Sequence, residues 1–164
     1  MKNRLFLAER CDCGRQIGCL SLPSAIYTLY MGQKVSCDGS AKNCEGIVIK
    51  YKDTNKDKTI IMMGDVNYAS FNAACSVNGD PSFAYTEIDY LIAPHHGSKC
   101  TAYEQITDCG RIAKKGTKAV ICCKNRTQNN RPNADHRAEL NRRFKCVCTT
   151  EEALPPTHSI KISF

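Results

Sequence analysis

At 164 residues the chain has the length of one ordinary domain, enough to bury roughly 70% of the surface its unfolded form exposes. Hydrophobic residues at 42% and charged residues at 24% lie near the globular average, which excludes a disordered chain, and the longest apolar runs, KAVICC and TIIMMG, are too short to cross a bilayer. A net charge of +7, from 23 Lys and Arg against 16 Asp and Glu, favours polyanionic partners such as nucleic acid, although a solvated surface gives the same count.

The N-terminal residues, MKNRLFLAERCDCGRQ, begin basic, but the apolar segment 5–8 is shorter than a signal-peptide core and is followed at once by Glu9 and Arg10. On this reading the protein stays in the cytoplasm, and its twelve cysteines are reduced thiols rather than a disulfide framework. Residues 1–44, with cysteines at 11, 13, 19, 37 and 44, read as an irregular Cys-rich leader holding a short strand or two, within a single domain spanning 1–164.

From Glu45 the pattern sharpens. GIVIKY alternates and is β-branched, DTNKDK is a polar turn, and TIIMMGD is a second strand, so the three predict a hairpin. Without an Asn-Gly or Asp-Gly pair, the turn is expected to be longer than two residues. The segment after Asp65 reads as helical at first and broken at Asn78-Gly79-Asp80-Pro81. IDYLIAP is a short buried strand ending at Pro94, TAYEQITDCGRIAKKG a helix, and TKAVICC a further buried strand. Asn133, or Asp135 in an alternative register, can cap a helix through HRAELNRRF, after which KCVCTT and SIKISF are closing strands. Strand and helix alternate from residue 45 onward, which predicts an α/β (α+β) fold, a mixed β-sheet with helices on one face.

Gly64-Asp65 closes one apolar strand, and His95-His96, half of the four histidines, closes another about thirty residues later. Neighbouring strand ends share one rim of a sheet, where open α/β folds place ligands. A carboxylate and imidazoles converging there suit zinc, manganese or iron. The plainer alternatives are a turn-capping Asp and a satisfied polar His pair.

The segments TIIMMGD, IDYLIAPHHGSK and KAVICCKNRTQNNRPNADHRAEL resemble the C-terminal half of metallo-β-lactamase-fold hydrolases, in particular the hydrolase domain attached to ComEC-type competence proteins. The resemblance spans about residues 45–164. It implies half of a four-layer αββα sandwich and a metal-dependent hydrolase, or a truncated half of one, acting on phosphodiesters or nucleic acid. The cofactor it implies is a divalent metal, zinc or manganese. Asp65 resembles the family's metal-ligating or bridging aspartate, and His95 and His96 resemble its strand-end histidines. Asp65, His96 and Lys99 would then be catalytic, Asp65, His95, His96 and His136 would supply metal ligands, and Ser98 with Lys99 could contact a phosphate.

Two departures accompany the resemblance. Arg131-Pro132 stands where the family has His-Pro, leaving His136 to take the histidine's place, while an arginine there could bind phosphate but not metal. The family's N-terminal His-x-His-x-Asp-His or His-x-Asp-x-Asp-His cluster is absent, since no histidine precedes position 95. Ligands from Cys11, Cys13 and Cys19 could compensate, against the plainer reading of buried thiols. The alternative function is therefore a catalytically inactive remnant serving as a binding or partner subunit. A lone half-fold would also expose the sheet face that normally packs on the other half, which implies that a protein partner such as a separately encoded half, a second copy in a homo-oligomer, or the leader covers it; with apolar runs this short, no membrane partner is expected.

Overall fold

Residues 16–22, 24–31, 46–77, 88–99, 117–123 and 132–150 are described by the structure, a computed structural model. The predicted break at 78–81, the predicted helix at 101–116, Arg131, SIKISF, Cys11, Cys13, the Cys19 side chain and His158 lie outside the described residues.

The alternating GIVIKY run forms strand β3 (Ile47–Asp53), and KTIIM forms β4 (Lys58–Met62), paired antiparallel with Asp53 opposite Lys58. Residues 54–57 make the turn between them. Asp53 closes it from within, its Oδ1 accepting the backbone N–H groups of Asn55 at 2.9 Å and Lys56 at 3.0 Å, as short polar side chains do in turns. The hairpin is thus the one its sequence predicts.

Two further strands, β1 (Gln16–Leu22) and β2 (Ala25–Met31), lie within the leader, where a short strand or two is expected. Strand β2 pairs antiparallel along the whole of β3, and β1 pairs antiparallel with β2. Beyond β4 the ladder turns parallel through β5 (Tyr90–Ile92), β6 (Lys118–Ile121) and β7 (Cys146–Thr149). Among the described residues the seven strands lie in chain order, with β1 and β7 outermost.

Helix α1 (Tyr68–Val77) connects β4 towards β5, and α2 (Ala134–Arg143) connects β6 towards β7. An asparagine starts each one. Asn67 Oδ1 accepts from Ser70 N at 2.8 Å, and Asn133 Oδ1 accepts from Asp135 N at 3.0 Å and His136 N at 3.1 Å, satisfying amides that a helix start leaves without intrahelical acceptors. Of the two registers open for α2, Asn133 is the cap.

Register assigns the faces. Side chains at paired positions share a face, so Tyr30, Val48, Ile61, Leu91, Ala119, Ile121 and Val147 all project to one side. These residues and Phe71, Tyr68, Leu140 and Phe144 of the helical segments form one buried cluster. Tyr30 and Phe71 meet edge to face with ring centroids 5.6 Å apart. Tyr68 touches His136, so both helices cover that same face. The chain is α/β, a mixed sheet with helices laid against it.

On the opposite face Leu29, Ile49, Tyr51, Met62 and Ile92 are half-buried and Ile47 is 52% exposed. No helix among the described residues is long and apolar enough to cross a membrane.

Candidate metal centre

The C-terminal ends of β4, β5 and β6 form one rim, because parallel pairing aligns Met62 with Ile92 and Ile92 with Val120. Chain leaving β4 turns at Gly64, whose φ of +56° lies in the left-handed region, and so presents Asp65 at the rim. Chain leaving β5 passes through Ala93, whose N–H donates to Val120 O at 2.8 Å, and then into the turn Pro94–Gly97. The His95 N–H donates to Gly64 O at 2.8 Å. That bond ties the two turns together, as strand-end convergence predicts.

His95 and His96 have φ of 49° and 57°, and Gly97 follows at 71°. Among the described residues only Asp57, His95 and His96 are non-glycine residues with positive φ, so two of the three fall in the histidine pair. Each left-handed non-glycine residue costs about 1–2 kcal/mol, and such strain concentrates at functional sites. Neighbouring structure holds the turn in place: Ser98 N–H donates to His95 O at 3.1 Å, and Asn133 N–H to Gly97 O at 2.8 Å. At Gly97 a Cβ would stand 2.9 Å from Ile121 Cγ2 and 3.1 Å from Pro132 Cβ. Only glycine fits there without displacing β6 or the entry to α2.

Asp65 and His95 face each other, with Oδ1 3.6 Å from Nδ1. The carboxylate is exposed and the imidazole mostly shielded, their side chains being 67% and 16% accessible. This separation exceeds a hydrogen bond. It lies near the roughly 3.4 Å between two N/O ligands sharing one tetrahedral cation, given metal–ligand bonds of about 2.1 Å. His96 is exposed, and its Nδ1 lies 2.6 Å from Cys122 O. A carbonyl only accepts, so Nδ1 carries the proton and, in the neutral ring, Nε2 keeps its lone pair. Ligating histidines are commonly oriented by such a bond to a carbonyl. The two imidazoles stand 6.4 Å apart between centroids.

His136 is placed differently. It is fully buried on α2, its Nδ1 3.2 Å from Ser98 O and its Nε2 3.1 Å from Tyr68 Oη. Here too the carbonyl requires the proton on Nδ1, which leaves Nε2 to accept from the Tyr68 hydroxyl. Both nitrogens are committed to protein partners, and the ring supports the turn from beneath rather than joining Asp65 at the rim. Ser98 is likewise buried, with its carbonyl turned to His136, while Lys99 is exposed at the end of the turn. Cys123 belongs to the core, whereas Cys122 is exposed as a residue although burial of its thiol raises its pKa.

Among the described residues no group of three or more His, Cys, Asp or Glu side chains is arranged to hold a metal ion. The donor pair Asp65–His95 and the lone pair on His96 are what the rim offers. Sequence reading finds these three residues but not the supports: the Gly64 and Cys122 carbonyls, Tyr68, and His136 as a core residue. The signal for the last two was available, since Tyr68 and His136 each fall in the first turn after a capping asparagine, where a side chain can point back along the helix towards the strand ends.

Comparison with protein-family models, with curated proteins and with solved structures found no match.

Proposed function

We propose that the chain is a metal-dependent hydrolase of metallo-β-lactamase type, or the truncated C-terminal half of one, acting in the cytoplasm on phosphodiesters such as nucleic acid. The observation that carries this reading is the 3.6 Å approach of Asp65 Oδ1 and His95 Nδ1, made by residues thirty positions apart on two adjacent strand ends.

Asp65 and His95 would hold zinc or manganese, and His96 would add Nε2 from the rim. A divalent cation held there would supply Lewis acidity and a water of lowered pKa. Lys99, exposed beside the turn, would neutralise phosphate charge. His136 is left out of this ligand set because both of its nitrogens are engaged in the core. Three donors are one short of a tetrahedral protein site. The remaining position would be left to water, to substrate, or to a partner covering the half-exposed apolar face that includes Ile47.

A second reading, an inactive remnant that binds a partner, is favoured by the lack of a three-ligand group among the described residues and of any histidine before position 95. Elemental analysis of the purified chain, joined to hydrolysis of bis(p-nitrophenyl) phosphate with added zinc or manganese, separates the two. Bound metal and turnover, both lost in Asp65→Asn and His95→Ala, are expected for the hydrolase. Folded, metal-free protein without turnover assigns the chain to the remnant.

A further inference from the structure

Strand β7 carries Cys146 and Cys148, two residues apart, on the face of the sheet opposite the one that the two described helices cover. Both are half-buried, and neither is in a disulfide. Alternate residues of a strand lie about 6.6–6.8 Å apart between Cα atoms. The two Sγ atoms nevertheless stand only 3.3 Å apart. Each side chain therefore leans along the strand towards the other, bringing two thiols together on the last of the described strands.

Magnitudes decide what such a pair suits. A disulfide needs about 2.05 Å between the sulfurs, and its Cα–Cα separation of about 4.4–6.8 Å leaves an extended strand at the very limit. Two thiolates on one tetrahedral d10 cation, with bonds of about 2.3 Å, stand about 3.8 Å apart. The observed separation is closer to the chelate, which this strand can reach by small side-chain rotations without bending its backbone. Thiolate pairs select soft or borderline cations.

We propose that Cys146 and Cys148 form a bidentate dithiolate site for a thiophilic d10 cation of the zinc class, independent of the rim that holds Asp65 and His95. On binding, each thiol releases one proton to solvent as its sulfur–metal bond forms, with no change of oxidation state. Because Cys146 and Cys148 lie on the face of β7 opposite the buried cluster, and that face carries no helix among the described residues, the open coordination positions would face away from the core.

Peptide-resolved alkylation of the reduced full-length chain with iodoacetamide, with and without zinc, tests this directly. Zinc is expected to slow modification of both cysteines by about tenfold or more, since a metal-held thiolate is withdrawn as a nucleophile. In Cys146→Ser the protection of Cys148 should disappear, and the reciprocal holds for Cys148→Ser, while Asp65→Ala leaves the protection intact. The wild-type measurement stands alone should a serine variant fold poorly. Equal rates with and without zinc, or protection of one cysteine that survives loss of the other, overturns the proposal.

Discussion

Tyr68 on α1 and His136 on α2 meet through a buried hydrogen bond of 3.1 Å, directly beneath the turn that carries His95 and His96. The other ring nitrogen reaches Ser98 O at 3.2 Å, so one side-chain chain joins both helices to the strand-end turn. Removing the hydroxyl in Tyr68→Phe leaves Nε2 buried without its donor, a change that costs about 1–3 kcal/mol. Urea unfolding should register this as a lower midpoint at unchanged slope.

Gly97→Ala meets two obstacles at once, a left-handed backbone and a Cβ 2.9 Å from Ile121 Cγ2. Conformational cost and overpacking together should remove about 2–4 kcal/mol of stability. Differential scanning calorimetry of the variant checks the value. A stability within error of wild type would mean that the turn relaxes at little cost.

At the start of α2, Asn133→Ala deletes the acceptor for the Asp135 and His136 amides. A loss of about 1 kcal/mol is expected, with Asn133→Asp retaining most of the stability. Equilibrium denaturation of the two variants side by side distinguishes capping from packing.

Hydrogen bonds from Arg142 hold the Glu139 carboxyl below the usual glutamate range, and Arg143 adds to the effect. A carboxylate depressed in the folded state contributes stability above its unfolded pKa, and that stability is lost as pH falls through the folded value. The Arg142 side chain is 65% exposed, so the contribution should stay within about 1 kcal/mol and weaken with salt. In urea titrations from neutral to acid pH, wild type should lead Glu139→Gln at neutrality, and the gap should close below the glutamate range.

Loss of the candidate centre should leave the fold standing. Asp65 is exposed and has no part in the buried cluster, so Asp65→Asn should unfold within about 0.5 kcal/mol of wild type. Metal content by inductively coupled plasma spectrometry should fall in the same variant, separating a site defect from a folding defect.

Local pattern was enough to read the β3–β4 hairpin, the Asn133 cap and the short strand before Pro94, because alternation, turn polarity and capping are properties of neighbouring residues. Strands β1 and β2 were harder. Gly18 and Cys19 blur alternation in β1, and the pairing of β2 with β3 over its full length is a long-range fact. At the rim, Asp65 and His95 were legible as strand-end residues, but the left-handed backbone at His95 and His96 was not, since histidine carries no signal for positive φ as strong as that of glycine. His136 offered a ligand type in a plausible place, and only the packing of Tyr68 and Ser98 around it reveals the commitment of its ring.

Each strand of the sheet hydrogen-bonds to the one before it in the chain, with antiparallel partners up to β4 and parallel ones afterwards. The β3–β4 hairpin closes over a few residues, whereas every parallel partner must wait for a crossover to return, a slower search. Asp65 is set by the early half and the histidines by the late half. The rim is therefore composite: the antiparallel half of the sheet supplies its carboxylate, and segments that pair only through crossovers supply its imidazoles.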